Sequence, residues 1–188
     1  MGLVEMGVGL LPAGGGTKEL CVRASKHADR FGLDVQPLIF KYFENIAMAK
    51  VSMGADEAFG LGYMQVGDTV TMDIDRLLGD AKQKVITLAK TYRPKRPVPF
   101  KAPGRSVAAS VKSQLWNMKE GSFITEYEYE MGSVVADVIT GGDVDAGTLV
   151  TEQCVLDLER EAFLKLCRNQ KTQERIDHML KTNKPLRN

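Results

Sequence analysis

The sequence predicts a mainly α-helical fold of six to eight helices, with one or two short strands. Along most of the 188 residues, apolar side chains recur at spacings of three and four, which is the period of one helix face. Glycine, proline and small polar residues stand at the borders of these segments, where helices begin and end. The hydrophobic content of 44% is typical of a chain that buries a core.

Eight segments carry this helical pattern. In chain order they span residues 17–31, 35–51, 52–60, 73–92, 106–118, 123–140 and 149–167, with a last helix that starts at 171. The residues at their borders support these assignments. Gly32 suits a helix end, and Pro37 suits a first turn, where a missing N–H costs nothing. Ser52, Asp73 and Thr172 are predicted N-caps, because their side-chain oxygens can accept from the first free N–H groups.

Two segments favour short strands. Residues 1–10 are apolar and glycine-rich, which is typical of a buried strand, and residues 63–72 alternate in polarity with a bend near Gly67.

A proline-rich, basic linker is predicted at 93–105, between a first part at 1–92 and a helical extension at 106–188. Its basic residues are Arg93, Lys95, Arg96, Lys101 and Arg105. Two uses remain open for them. They could pair with the phosphates of a nucleotide, or they could belong to a solvated connector.

Composition excludes several classes of function. Lys+Arg 25 against Asp+Glu 24 gives a net charge of +1, which offers no electrostatic case for binding nucleic acid or a membrane surface. No apolar run is long enough to span a membrane. The three cysteines, Cys21, Cys154 and Cys167, lack metal-type spacing. They predict reduced thiols in a cytoplasmic protein and no metal site.

The stretch from Val4 to Leu20 holds the candidate chemistry. Glu5 precedes a glycine-dense run that ends in three consecutive glycines at 14–16 and opens into the first helix. That helix would direct unpaired N–H groups, and the positive end of its dipole, at the loop. An acid beside such a loop is a candidate for proton transfer, although a strand end, a tight turn and an N-cap explain the same residues. Gly16-Thr17-Lys18 has the wrong order for a phosphate-binding loop, and the third glycine of a dinucleotide fingerprint is missing.

A family resemblance matches the same residues. Glu5, Gly9, Pro12, Gly15, Gly16, Thr17 and Leu20 resemble the crotonase (enoyl-CoA hydratase/isomerase) signature P-E-x-x-x-G-x-x-P-x-x-G-G-T-x-x-L, with Val4 where many members have proline. Residues 49–62 resemble the family's helix-and-turn pattern S-A-x-E-A-x-x-x-G. The tail at 156–188 looks like the C-terminus of the bacterial 3-hydroxyacyl-CoA dehydrogenases that carry a crotonase domain after their dehydrogenase domain.

The resemblance implies a function and a site. It implies the C-terminal part of an α/β crotonase spiral, from a fatty-acid β-oxidation enzyme that acts on acyl-CoA thioesters. Glu5 would be the catalytic acid/base, while Pro12, Gly14, Gly15 and Gly16 would shape the substrate pocket. The oxyanion hole, a second acid and any NAD site would lie outside this chain, so the chain alone is expected to be inactive. A dimer or trimer is expected.

Two alternatives stay open at this point. The chain could be a non-catalytic helical module for oligomerisation or docking, because the extension after the linker exceeds what a minimal crotonase needs. The same fold could also host isomerase or thioester-hydrolase chemistry.

Overall fold

The computed structural model describes residues 1–94 and 96–188, and Lys95 of the predicted linker lies outside them. It confirms a mainly α-helical fold. The helices are α1 (Gly16–Phe31), α2 (Gln36–Ala47), α3 (Ala55–Gly60), α4 (Ile74–Ala89), α5 (Gly104–Glu120), α6 (Glu126–Ile139), α7 (Glu152–Cys167) and α8 (Gln170–Thr182). A 3-10 helix spans Glu5–Val8, and strands β1 (Phe100–Lys101) and β2 (Leu149–Val150) complete the elements.

The core forms around α6, which contacts α1, α2, α5 and α7. Its inward face comprises Tyr127, Met131, Val135 and Ile139, all buried. A capping box starts this helix, because the Thr125 and Glu128 side chains each accept from the other residue's backbone N–H. The hydrophobic cluster also takes residues from α1, α2, α5 and α7, so both sides of the predicted linker contribute to one core.

The strands lie elsewhere than predicted. β1 and β2 form an antiparallel pair with Phe100 opposite Val150, and β1 falls inside the predicted linker. The strand expected at 63–72 is wrong, because no strand is assigned there and no neighbouring strand pairs with the alternating residues. The strand expected at 1–10 is also wrong, since this segment contains the 3-10 helix and only a single bridge, from Gly2 to Val51.

Three predicted N-caps have different outcomes. Asp73 caps α4 and accepts from the N–H of Asp75, as predicted. Ser52 does not cap α3, whose N-cap is Gly54. Thr172 does not cap α8 either, because Asn169 holds that position and Thr172 is buried two residues inside the helix. Its hydroxyl instead donates to the carbonyl of Gly9, at the other end of the chain.

No helix among the described residues is long and apolar enough to cross a membrane.

Candidate functional site

Glu5 opens the 3-10 helix, with its side chain half-buried at the edge of the fold. One of its carboxylate oxygens, Oε2, is buried and has no hydrogen-bond partner among the described residues. Buried carboxylate oxygens normally have a partner, since leaving one unpaired costs free energy. The unpaired Oε2 therefore marks Glu5 as a carboxylate whose hydrogen-bonding capacity is not used up within the described residues.

The backbone that carries Glu5 is held against α8. The 3-10 helix ends at Gly9, which has a left-handed φ of 86°, and the carbonyl of Gly9 accepts from Thr172 Oγ1 at 2.7 Å. Thr172 in turn bonds to the buried hydroxyl of Tyr127 in α6. A side chain at position 9 would place its Cβ 2.8 Å from Thr172 Oγ1. Only glycine fits both this backbone conformation and this close approach.

Tyr63 lies near enough to Glu5 for the charge of Glu5 to act on its hydroxyl group. Its hydroxyl donates to the carbonyl of Lys50 at 2.9 Å. Burial raises the pKa of Tyr63, the negative charge of Glu5 adds to this, and a hydrogen bond from the Leu3 backbone works against it. Tyr63 therefore remains a neutral donor beside the candidate acid.

The N-terminus of α1 is occupied by a carboxylate of the protein itself. Glu159 in α7 is 1% exposed and accepts from the N–H of Gly15 at 3.1 Å and from the N–H of Lys18 at 2.6 Å. The sequence predicts that these N–H groups face the loop unpaired. The structure corrects that expectation, because Glu159 satisfies them and lies at the positive end of the helix dipole.

Two opposing influences act on the Glu159 carboxyl group. Burial raises its pKa, while the N–H groups of Lys18 and Gly15 and the charge of Lys18 lower it. The net effect is a raised pKa, so burial outweighs the hydrogen bonds.

A cleft of about 560 Å³ joins the Glu5 region to α7. We call it the Glu5 cleft, and its walls are formed by Glu5, Ala13, Gly14, Gln153, Leu156, Asp157, Arg160 and Phe163. One wall thus offers a carboxylate and a bare glycine backbone. The other offers two apolar side chains and the exposed guanidinium of Arg160, whose Nη2 lies 3.6 Å from Asp157 Oδ1. The cleft combines a carboxylate, two apolar side chains and a cation.

The predicted site residues lie close together in the fold, but only two of them line the cleft. Glu5 and Gly14 do so. Pro12 is buried, and its carbonyl accepts from Thr17 Oγ1 at 2.9 Å. Gly15 is the N-cap of α1 with a φ of 90°. Gly16 starts α1, and a Cβ there would come within 2.8 Å of Leu3.

Three further groups, Cys21, Lys101 and Arg105, are buried or paired within the chain. Burial raises the pKa of the Cys21 thiol to about 12, so this thiol is a poor nucleophile. Lys101 of the basic stretch pairs with Asp29 at 2.6 Å, and Arg105 pairs with Asp143 at 3.3 Å. Within the described part of the chain, no group of three or more His, Cys, Asp or Glu residues could hold a metal ion.

The chain resembles one stretch of a much longer protein. It is 43% identical over 189 residues to a probable 3-hydroxyacyl-CoA dehydrogenase of Bacillus subtilis (strain 168). The match covers all of this chain. It covers only 23% of that relative. No protein-family model matches the chain, and no solved structure matches it.

Sequence reasoning missed Glu159, although a signal for it exists. The sequence predicts a helix at 149–167 with Glu159 on its charged side. The buried residues of α7 are instead Val155, Glu159, Ala162 and Leu166, which follow the 4-3-4 spacing of a buried face. A charged residue inside an apolar stripe indicates a buried partner. No local pattern predicts which groups pair with Glu159, because Gly15 and Lys18 lie about 140 residues away in the chain.

Proposed function

We propose that this chain forms the C-terminal part of an enoyl-CoA hydratase-type unit in a fatty-acid β-oxidation enzyme. The parent would be a 3-hydroxyacyl-CoA dehydrogenase that also hydrates enoyl-CoA thioesters. The crotonase-like signature around Glu5 supports this proposal, and so does the identity to part of the probable 3-hydroxyacyl-CoA dehydrogenase of Bacillus subtilis.

One observation carries the proposal. Glu5 lines a cleft together with Leu156 and Phe163 of α7, and its buried Oε2 has no partner among the described residues. General acid/base catalysis requires a carboxylate that can reach the substrate or a bound water molecule. Gly14, on the same wall, has no atom within 4 Å of where a Cβ would lie, which leaves space for a thioester.

Hydration adds the elements of water across the C2–C3 double bond of the enoyl thioester. The water oxygen bonds to C3, C2 gains a proton, and carboxylates carry the protons while N–H groups stabilise the enolate oxygen. Glu5 supplies one carboxylate. The N–H groups of Gly15 and Lys18 cannot act as the enolate donors, because Glu159 accepts from both.

In this proposal the oxyanion donors and the second acid would come from other parts of the parent enzyme. The 188-residue chain alone should bind acyl-CoA weakly and hydrate nothing. NAD chemistry belongs to the dehydrogenase portion of the parent. We place the enzyme in the cytoplasm, where its three cysteines stay reduced.

The test uses a longer protein that contains these 188 residues. Glu5→Gln should lower crotonyl-CoA hydration by about a hundredfold or more, the usual contribution of a general acid/base, and leave NAD-linked oxidation of 3-hydroxybutyryl-CoA unchanged. Glu161→Gln, an exposed acid of α7, is the matched control and should keep full hydration. Unchanged hydration by the Glu5 variant would contradict the proposal. Turnover by the 188-residue chain alone would show that the oxyanion donors and the second acid are not supplied from elsewhere in the parent.

A further inference from the structure

Helix α4 is unlike the other long helices of the chain. None of its sixteen residues, all of them described, is buried. Its apolar side chains are nevertheless large: Leu78 is 82% exposed and Val85 is 64% exposed. An isolated helix of this length is only marginally stable in water, and a contiguous apolar face on it indicates an interaction surface.

The spacing of that face indicates what kind of surface covers it. The residues that form it are Ile74, Leu78, Ala81, Val85 and Leu88. They follow each other at intervals of four, three, four and three, which repeats every seven residues. This is the spacing of the a and d positions in a helix that packs lengthwise against another helix. We call these five residues the α4 seam.

The distribution of charge along α4 favours one kind of partner helix. The first half of α4, with its cap, carries Asp73, Asp75 and Asp80 against the single cation Arg76. The second half and the residues after it carry cations alone, namely Lys82, Lys84, Lys90 and Arg93. A parallel copy would bring like charges together. An antiparallel copy brings the acidic half of each helix beside the basic half of the other, and it also opposes the helix dipoles.

We propose that the α4 seam binds the α4 seam of a second copy of this chain, antiparallel and about a two-fold axis. The contact is isologous, because each helix offers the same apolar residues and complementary charges to the other. It does not depend on the chemistry assigned to Glu5, so the two proposals can fail separately.

Sedimentation velocity of the 188-residue chain over about a hundredfold range of concentration tests the contact. The wild-type mass should rise from one chain to two. Leu78→Glu places a charge in the seam and should raise the dimer dissociation constant by about tenfold or more. Gln83→Glu adds the same charge on the opposite face of α4 and should change it by less than about twofold. No α4 residue is buried, so neither substitution disturbs the fold, and circular dichroism checks this.

A charge exchange tests the electrostatic part. Asp75→Lys with Asp80→Lys makes one chain basic along all of α4, and Lys82→Glu with Lys84→Glu makes another mostly acidic. Each variant alone should lose self-association, and an equimolar mixture should restore a dimer that weakens as salt rises.

Orientation is tested by disulfide trapping in a chain whose Cys154 and Cys167 are replaced by serine. Under oxidation, Ile74→Cys and Leu88→Cys proteins should form the mixed disulfide in preference to either homodimer. If the chain stays monomeric while α4 is folded, the proposal is wrong. The α4 seam would then pack against a different polypeptide segment. A trimer, or a dimer that Leu78→Glu leaves intact, overturns it as well.

Discussion

Gly9 fixes the position of the Glu5 backbone, because it joins the end of the 3-10 helix to α8. Its φ of 86° is left-handed, and a Cβ at this position would lie only 2.8 Å from Thr172 Oγ1, so there is no place for a side chain. Gly9→Ala should therefore lower the free energy of unfolding by about 2–4 kcal/mol, from backbone strain plus overpacking. Urea unfolding followed by circular dichroism measures the change.

Gly7→Ala is the matched control for that substitution. Gly7 lies in the same 3-10 helix, and a Cβ there would meet nothing within 4 Å. The free energy of unfolding of the Gly7→Ala variant should stay within about 0.5 kcal/mol of the wild-type value. Equal losses at positions 7 and 9 would mean that the contact with Thr172 does not hold the helix.

At the scale of elements, Glu159 joins α7 to the start of α1 and so holds the two walls of the Glu5 cleft together. Glu159→Ala leaves the N–H groups of Gly15 and Lys18 without their acceptor, and it should cost about 2–4 kcal/mol of stability. Glu161→Ala, at an exposed site on the same helix, should cost less than about 0.5 kcal/mol. Denaturant titration compares the two, and equal effects would contradict a bridging role.

The same contact predicts a pH dependence. Burial raises the pKa of Glu159 in the folded chain above its ordinary value of 4.5, so the folded state binds this proton more tightly than the unfolded state does. This tighter proton binding contributes fully to the free energy of unfolding below the pKa of the unfolded state. The contribution is lost as the pH rises through the pKa of the folded state. The wild type should therefore lose stability relative to Glu159→Gln as the pH rises above 4.5. A shift in the other direction would mean that the hydrogen bonds outweigh burial.

The helices were predictable because their signals are local. Leu20, Ala24 and Ala28 repeat within a single helix, and Asp73 caps its own helix. The strands were not predictable, since a pair of two-residue strands is too short to show alternation. The segment at 63–72 alternates in polarity without a neighbouring strand to pair with it, which shows that alternation alone does not make a strand.

The candidate site was predictable only in part. The residue types near Glu5 were recognisable because they are consecutive in the chain. The second wall of the cleft comes from α7, and its position depends on how α7 packs against α1. Arg160 and Asp157 have the appearance of ordinary surface charges in the sequence, and nothing local relates them to Glu5.

At the scale of the whole molecule, one core crosses the predicted boundary between 1–92 and 106–188. Ile39 and Ile46 of α2 are fully buried and belong to the same cluster as Met131 and Val135 of α6. Burial of this kind contributes about 1.5–3 kcal/mol for each large apolar side chain. Separating the two parts exposes these faces on both sides at once.

Expression of residues 1–92 and 93–188 as two chains tests this dependence. Each piece alone should lack a cooperative unfolding transition, because its half of the core faces water, and an equimolar mixture should regain helical circular dichroism and a single transition. Val135→Asp in the second piece is the control, since a charge at a fully buried position should abolish the recovery. If residues 93–188 fold cooperatively alone, the extension is an independent helical module, and docking or assembly becomes the better account of its function than a share in the Glu5 cleft.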